Sequence, residues 1–304
     1  MFDTHCHLNF EAFNGRVEEV VARAKRVGVN QIVIPGTDVV TSEKAVAIAE
    51  KYDGIYAAVG IHPHHVYEIL TLDNRSLKID REDRNLKLEN QTSNFQLQNL
   101  TSNLQHLTSF LSHPKVVAIG EVGIDRHIYK KTKYPDYKIE EEFVKLQKII
   151  LKEQIKLAVK YDKSLILHNR EAKKDMFEVL REVWDKKLEG RSVFHCCEPD
   201  EILLEFAKDH KMFIGVDGDI TYYKEKQRFI KTVPLNMLVL ETDSPFLNPE
   251  PLRSKEGGTK NEPKNIPLIA EFITKLKGVS INRLIDTTTE NAQVLFKVRP
   301  FSKD

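Results

Sequence analysis

Three cysteines in 304 residues, two of them adjacent at Cys196 and Cys197, leave no disulfide framework and suit a reducing compartment. No apolar run approaches the roughly 18 residues needed to span a bilayer, and no basic-then-apolar pattern opens the chain. A cytoplasmic protein with no membrane contact is therefore expected. Neither sign of charge is in surplus, with 46 basic residues against 45 acidic ones. No overall field draws in nucleic acid, so any such binding must rest on a local patch or on metal. Aromatic residues are sparse at 8%, yet 41% hydrophobic content is enough for a sizeable core.

A different absence marks one stretch. Residues 67–109 contain no Gly, Pro, Ala or Val. Leu77-Lys-Ile79, Leu86-Lys-Leu88, Phe95-Gln-Leu97 and Leu104-Gln-His106 recur there at a nine-residue period, too few and too weak for a solenoid. Leu97, Leu100, Leu104, Leu107 and Leu111 have helical spacing, which predicts a helix in the second half. The first half reads as polar low-complexity sequence. The segment at about 72–105 is taken as an insertion into a single domain that spans 1–304.

What is present elsewhere is a regular alternation. Eight short apolar runs, MFDTHCH, QIVIPGT, IYAAVGIH, VVAIGEVGID, SLILHNR, SVFHC, MFIGVDG and MLVLETD, are separated by amphipathic stretches. In RVEEVVARAKRVGV, for example, Val17, Val20, Val21, Ala24 and Val27 form one helical face. Strands alternating with helices imply a parallel sheet, and eight strands close an α/β, (β/α)8 TIM barrel with the insertion after strand 3.

Chemistry-bearing residues sit where these runs end. His5 and His7 close the first run, Glu121 stands in the fourth, His168 in the fifth, His195 in the sixth and Asp243 at the end of the eighth. Alternate residues on an extended segment face one side, so His5 and His7 would grip something together. Any one of these residues could be an ordinary polar side chain. Six at one end of successive barrel strands point to metal, because barrel active sites lie at that end. Four imidazoles and two carboxylates exceed what one tetrahedral ion needs. They suit two divalent ions about 4 Å apart, with His5, His7 and Asp243 on one, His168 and His195 on the other, and Glu121 shared. Imidazole-rich ligation favours Zn2+ or Mn2+, whereas Mg2+ prefers oxygen.

DTHCHL, GIHPH, GEVGID, the Gln147-x6-Gln154 stretch leading to LILHNREA, FHC and LETDSPFLNPEPLR resemble the TatD-type metal-dependent deoxyribonucleases of the amidohydrolase superfamily. TTTENAQVLF is similar to that family's closing helix. The resemblance runs from about residue 1 to 298 outside the insertion. It implies a TIM barrel, divalent-metal-dependent hydrolysis of DNA, often exonucleolytic, and Mg2+ activation. Glu121 stands where many amidohydrolase relatives carry a bridging carbamylated lysine, which favours the nuclease branch. Cys197 and Glu198 depart from the family pattern, which has an aromatic residue and then a Ser-Gly turn. The acidic residues at 198–201 would restrict a DNA substrate to single strands or ends.

On this reading Asp243 is the candidate general base and Glu121 sets the metal spacing. His62 in GIHPHH is expected to touch the phosphate or protonate the leaving group, and Arg170 and Arg253 to bind phosphate. The loop RHIYKKTKYPDYK at 126–138 has five Lys/Arg against one Asp. Its cations would track a phosphate backbone, and Tyr129, Tyr134 and Tyr137 would stack unpaired bases. The same ligand set would also serve a metal-dependent amidohydrolase, lactonase or aminoacyl-ester deacylase. A non-catalytic scaffold that docks a partner through the insertion is a further alternative.

Overall fold

A computed structural model describes residues 1–68, 102–134, 136–254 and 260–301. Eight parallel strands form one sheet in sequence order: β1 (Phe2–Asp3), β2 (Gln31–Pro35), β3 (Ile55–Val59), β4 (Val116–Asp125), β5 (Ser164–Arg170), β6 (Ser192–Phe194), β7 (Phe213–Val216) and β8 (Leu238–Leu240). The sheet closes where the last strand meets the first. Thr4 N–H donates to Leu240 O at 3.0 Å, Asp243 N–H to His5 O at 2.9 Å, and His7 N–H to Ser244 O at 2.8 Å. The fold is a (β/α)8 barrel.

The core has two parts because each strand buries both faces. Inside the barrel, Phe2, Val33, Ala58, Ala118, Ile166, Val193, Phe213 and Val239 contribute one residue per strand. Ala292, Leu295 and Phe296 of the helix Ile281–Phe296 pack against that layer, so the C-terminal helix plugs the end of the barrel away from the histidines. Outside the strands, residues such as Ile32, Ile34, Ile55, Ala57 and Val59 pack against Val20, Val21 and Ala24 of the helix Val17–Arg26 and Ala45 and Ala49 of the helix Val39–Lys51.

Most of the insertion expected at about 72–105, including Leu97 and Leu100, lies outside the described residues. Its end is helical over 102–110, where Leu107 is buried in the core and Leu104 packs against it. Among the described residues no helix is long and apolar enough to cross a membrane.

The Gln-x6-Gln pair acts as a brace. Seven residues is close to two helical turns, so Gln147 and Gln154 share one face of the helix Glu141–Lys160 and both are fully buried. The Gln154 side chain accepts from Ile61 N–H at 2.7 Å and donates to Ile61 O at 3.1 Å. Gln147 does the same for Asp125, at 2.8 and 3.1 Å. One helix thereby fixes the chain just after β3, beside His62, and the end of β4. Gln154→Leu leaves a buried N–H and C=O unpaired. Each costs about 1–3 kcal/mol, so a loss of about 2–6 kcal/mol is expected from urea unfolding midpoints.

Candidate metal centre

The site assembles at the C-terminal ends of the strands. His5 and His7 lie beyond β1, on a segment tied by the Cys6–Ser244 bridge to the chain beyond β8. Asp243 lies on that second segment at φ 50°. Glu121 is carried by β4, whose register with β5 shifts between Ile119 and Val122. His168 is on β5 and His195 follows β6. Gly123 lets β4 and β5 approach, since a Cβ there would sit 1.8 Å from His168 O.

The two oxygens of Glu121 face different partners. Oε2 lies 3.3 Å from His5 Nε2 and 3.6 Å from His7 Nε2. Oε1 lies 2.7 Å from His168 Nδ1, 3.3 Å from His195 Nε2 and 3.3 Å from His62 Nε2. Asp243 Oδ1 joins the first group, 3.7 Å from His5 Nε2 and 3.4 Å from His7 Nε2. The His5 and His7 Nε2 atoms are 3.2 Å apart.

These separations fit a cation. Four ligand atoms about 2.1 Å from a tetrahedral ion are about 3.4 Å from one another; the His5–His7 separation and the four separations of these imidazoles from Glu121 Oε2 and Asp243 Oδ1 run from 3.2 to 3.7 Å. His62, Glu121 and His168 form a second group with ligand geometry. The residues present could therefore hold two ions bridged by Glu121.

Electrostatics point the same way. Burial alone would raise the Glu121 pKa, but His62, His195, His5 and the His168 hydrogen bond hold it well below the carboxylate range. Burial lowers the His5 and His62 pKa values, keeping both imidazoles neutral and able to coordinate. His168 is opposed by burial yet raised to about 9 by hydrogen bonds to Asp125 and Glu121. His195 is likewise raised, by Glu121 and Glu241 against the effect of burial. The carboxylates thus demand positive charge around them, which protons meet in the free site and a divalent cation would meet on binding.

Behind these histidines stand supporting carboxylates that the sequence pattern does not single out. Asp125 accepts from Tyr129 Oη–H at 2.7 Å and lies 3.1 Å from His168 Nε2. The two-residue period of β4 from Glu121 through Gly123 to Asp125 was the signal for it. Glu241 Oε1 lies 3.3 Å from His195 Nδ1 and accepts from Cys196 N–H at 2.5 Å. Gly215 makes room for it, because a Cβ there would meet the Glu241 carboxylate at 2.6 Å. Asp3 accepts from Thr242 Oγ1–H at 2.7 Å and from Thr242 N–H at 3.0 Å, tying the first strand to the turn that carries Asp243. Burial pushes its carboxyl up to about 8.

The residues singled out for substrate divide three ways. His62, expected at the phosphate, sits against Glu121 with the other imidazoles. Arg170 lines the mouth, stacked over the Tyr129 ring at 5.2 Å with Nη1 donating to Tyr129 Oη at 3.2 Å. Arg253 is not part of the mouth lining. Its guanidinium lies 3.9 Å above the Tyr222 ring and 3.9 Å from Glu250.

The 126–138 loop also differs from expectation. Tyr134 is buried, with its hydroxyl 3.1 Å from His65 Nδ1. Tyr137 packs on Tyr67 and Phe143, and one face of Tyr129 is covered by Arg170. Tyr134 and Tyr137 are thus taken up in packing, and Tyr129 reaches the mouth with Arg170 on one face. Arg126 is spent on Asp175 and Glu141, at 2.6 and 2.7 Å, whereas Lys131 lines the mouth. Cys197 is buried and Cys196 is half-buried on the mouth, and burial raises both thiol pKa values.

The mouth encloses about 610 Å3, within the range of small-ligand sites. A larger groove of about 870 Å3 runs along the helices Lys173–Val183 and Glu201–Asp209 and contains none of these groups.

A profile of the family described as "TatD related DNase" matches residues 2–297. The chain is 32% identical to the uncharacterized metal-dependent hydrolase YabD of Bacillus subtilis, covering 98% of this chain and 99% of that one. It is 29% identical to the 3′-5′ ssDNA/RNA exonuclease TatD of Edwardsiella piscicida, over 98% of this chain and all of that one. The crystal structure of YJJV, a TatD homolog from Escherichia coli, superposes with a TM-score of 0.76 at 27% identity, covering 98% of both chains.

Proposed function

Because the chain belongs to the TatD related DNase family, and so is a hydrolase acting on ester bonds, we propose that it is a divalent-metal-dependent exonuclease that shortens single-stranded DNA from the 3′ end. The observation that carries this reading is Glu121, whose two oxygens each face a separate set of imidazoles. His5, His7 and Asp243 with Glu121 Oε2 would hold one ion, and His168 and His195 with Glu121 Oε1 the other. His62 belongs with the second group by its position.

The chemistry supplied by two bound divalent ions is activation of a water near neutral pH and neutralisation of charge on the phosphodiester oxygens. The chain's own residues do the rest. Asp243 is the acceptor for the proton of the attacking water. Asp125 and Glu241 orient His168 and His195 through their outward ring nitrogens, as carboxylates behind ligand histidines do. Arg170 and Lys131, both lining the mouth, meet the phosphate. The direction of attack and the single-stranded substrate follow relatives named as 3′-5′ ssDNA/RNA exonucleases. Mg2+ is the expected activator, with Mn2+ and Zn2+ also suited to the donor set.

The test is a gel. Metal-stripped protein is incubated with 5′-labelled single-stranded DNA, duplex DNA and RNA, with Mg2+, Mn2+ or Zn2+ added. A ladder that shortens progressively from the 3′ end and needs metal is expected, fastest on single strands. DNA left intact in every metal would overturn the nuclease reading and direct the search to acyl esters.

A further inference from the structure

Among the described residues only two phenylalanine, tyrosine or tryptophan rings are strongly exposed, Phe246 at 51% and Tyr223 at 45%, and both line the mouth. Exposed apolar groups gathered at a site mark a surface meant to be covered. Phe246 is also held in place. Its N–H donates to Asp243 O at 2.9 Å, so the ring is carried on the turn that bears Asp243. The buried Asn261 amide donates to Phe246 O at 2.7 Å and to Thr242 O at 2.8 Å, pinning that turn at both ends. The Phe246 ring meets His7 edge-on at 6.3 Å and Phe10 at 6.2 Å, while Phe10 stacks on His7 at 4.2 Å. An aromatic wall therefore runs from the histidine cluster outward and ends in a ring exposed to solvent.

The occupant follows from what adjoins it. A phosphodiester held at His7 and Asp243 carries its base on a short sugar linker, and that base is the nearest flat, apolar group able to cover Phe246. Bases stack on aromatic rings without regard to sequence. In a duplex the terminal base is held by its pairing partner and by the stack below it, so an unpaired or frayed end is the one free to turn its base onto the ring. Resting on the nuclease reading above, we infer that Phe246 is the stacking platform for the terminal base beside the scissile phosphate, and that it makes the enzyme select unpaired ends. Tyr134 and Tyr137 do not fill this role, because their rings are taken up in packing, and Tyr129 is less exposed than Phe246 and carries Arg170 on one face.

The experiment compares single-stranded oligonucleotides that differ only at the 3′ end, one with normal terminal bases and one with abasic tetrahydrofuran residues. Each is digested by the metal-loaded wild type, Phe246→Ala and Phe246→Trp. The wild type is expected to favour the base-bearing end by about tenfold in kcat/KM, the size of one base–aromatic stack. Phe246→Ala should bring that ratio close to one, chiefly through KM, and Phe246→Trp should restore it. A terminal 2-aminopurine should be quenched on binding the wild type and not on binding Phe246→Ala. A merely structural role would slow both substrates alike and leave the ratio standing, which would overturn the inference. A wild type that cleaves DNA without preferring the base-bearing end would overturn it alone. A wild type that cleaves neither substrate overturns the nuclease reading and this inference with it.

Discussion

Glu121→Gln is expected to lower hydrolysis by about a thousandfold or more with the fold intact. A bound metal ion supplies several kcal/mol of transition-state stabilisation, and each 1.36 kcal/mol is a factor of ten in rate. Glutamine keeps the volume of the side chain and removes its charge. Oε2 faces His5 and His7, and Oε1 faces His62, His168 and His195. An amide can offer an acceptor to one of these groups while turning an N–H2 toward the other. The charge that would hold two ions together is lost in either orientation. The check is kcat at saturating Mn2+, beside circular dichroism and the urea midpoint. Activity within tenfold of wild type would remove Glu121 from the centre of the mechanism.

Asp243→Asn is expected to cost about a hundredfold to ten-thousandfold in kcat, the usual contribution of a positioned general base. The substitution isolates chemistry from backbone strain. Asp243 sits at φ 50°, in the left-handed region that asparagine tolerates better than other non-glycine residues. Its N–H donates to His5 O and its carbonyl accepts from Phe246 N–H, both at 2.9 Å, and asparagine keeps both bonds. What changes is an oxygen 3.4 Å from His7 Nε2 that can take a proton. Asp243→Ala would confound the comparison, because alanine at that φ adds backbone strain of about 1–2 kcal/mol. A variant that keeps kcat and loses only metal affinity would make Asp243 a ligand without a role in proton transfer.

The strands were legible because each is a short, β-branched run bounded by turn residues, and β4 and β5 match their runs of sequence end to end. The first run extends past its strand. β1 stops at Asp3, and His5 and His7 converge because the barrel seam ties their segment to the chain after β8. That seam depends on residues some 240 positions away and leaves no local pattern. The position of His62 was hidden for a similar reason. β3 ends at Val59, and the chain reaches Glu121 under the control of Gln154, 93 residues on. Asp125 and Glu241 were within reach of the two-residue strand period and of adjacency to Asp243. They were missed because each reads equally well as an ordinary turn carboxylate. For the loop tyrosines, composition states that rings are present and not which way they face. Nor does charge state which way a cation faces: Arg253 lies against Tyr222 and Glu250.

The most direct test is a metal titration of the stripped protein, followed by calorimetry and by cleavage of a 5′-labelled single-stranded oligonucleotide. Two Mn2+ per chain should bind the wild type, with activity appearing as the second site fills, and Glu121→Gln should bind fewer and stay inactive. Full cleavage at one equivalent, or cleavage that survives chelation, would contradict a two-metal phosphodiesterase centred on Glu121.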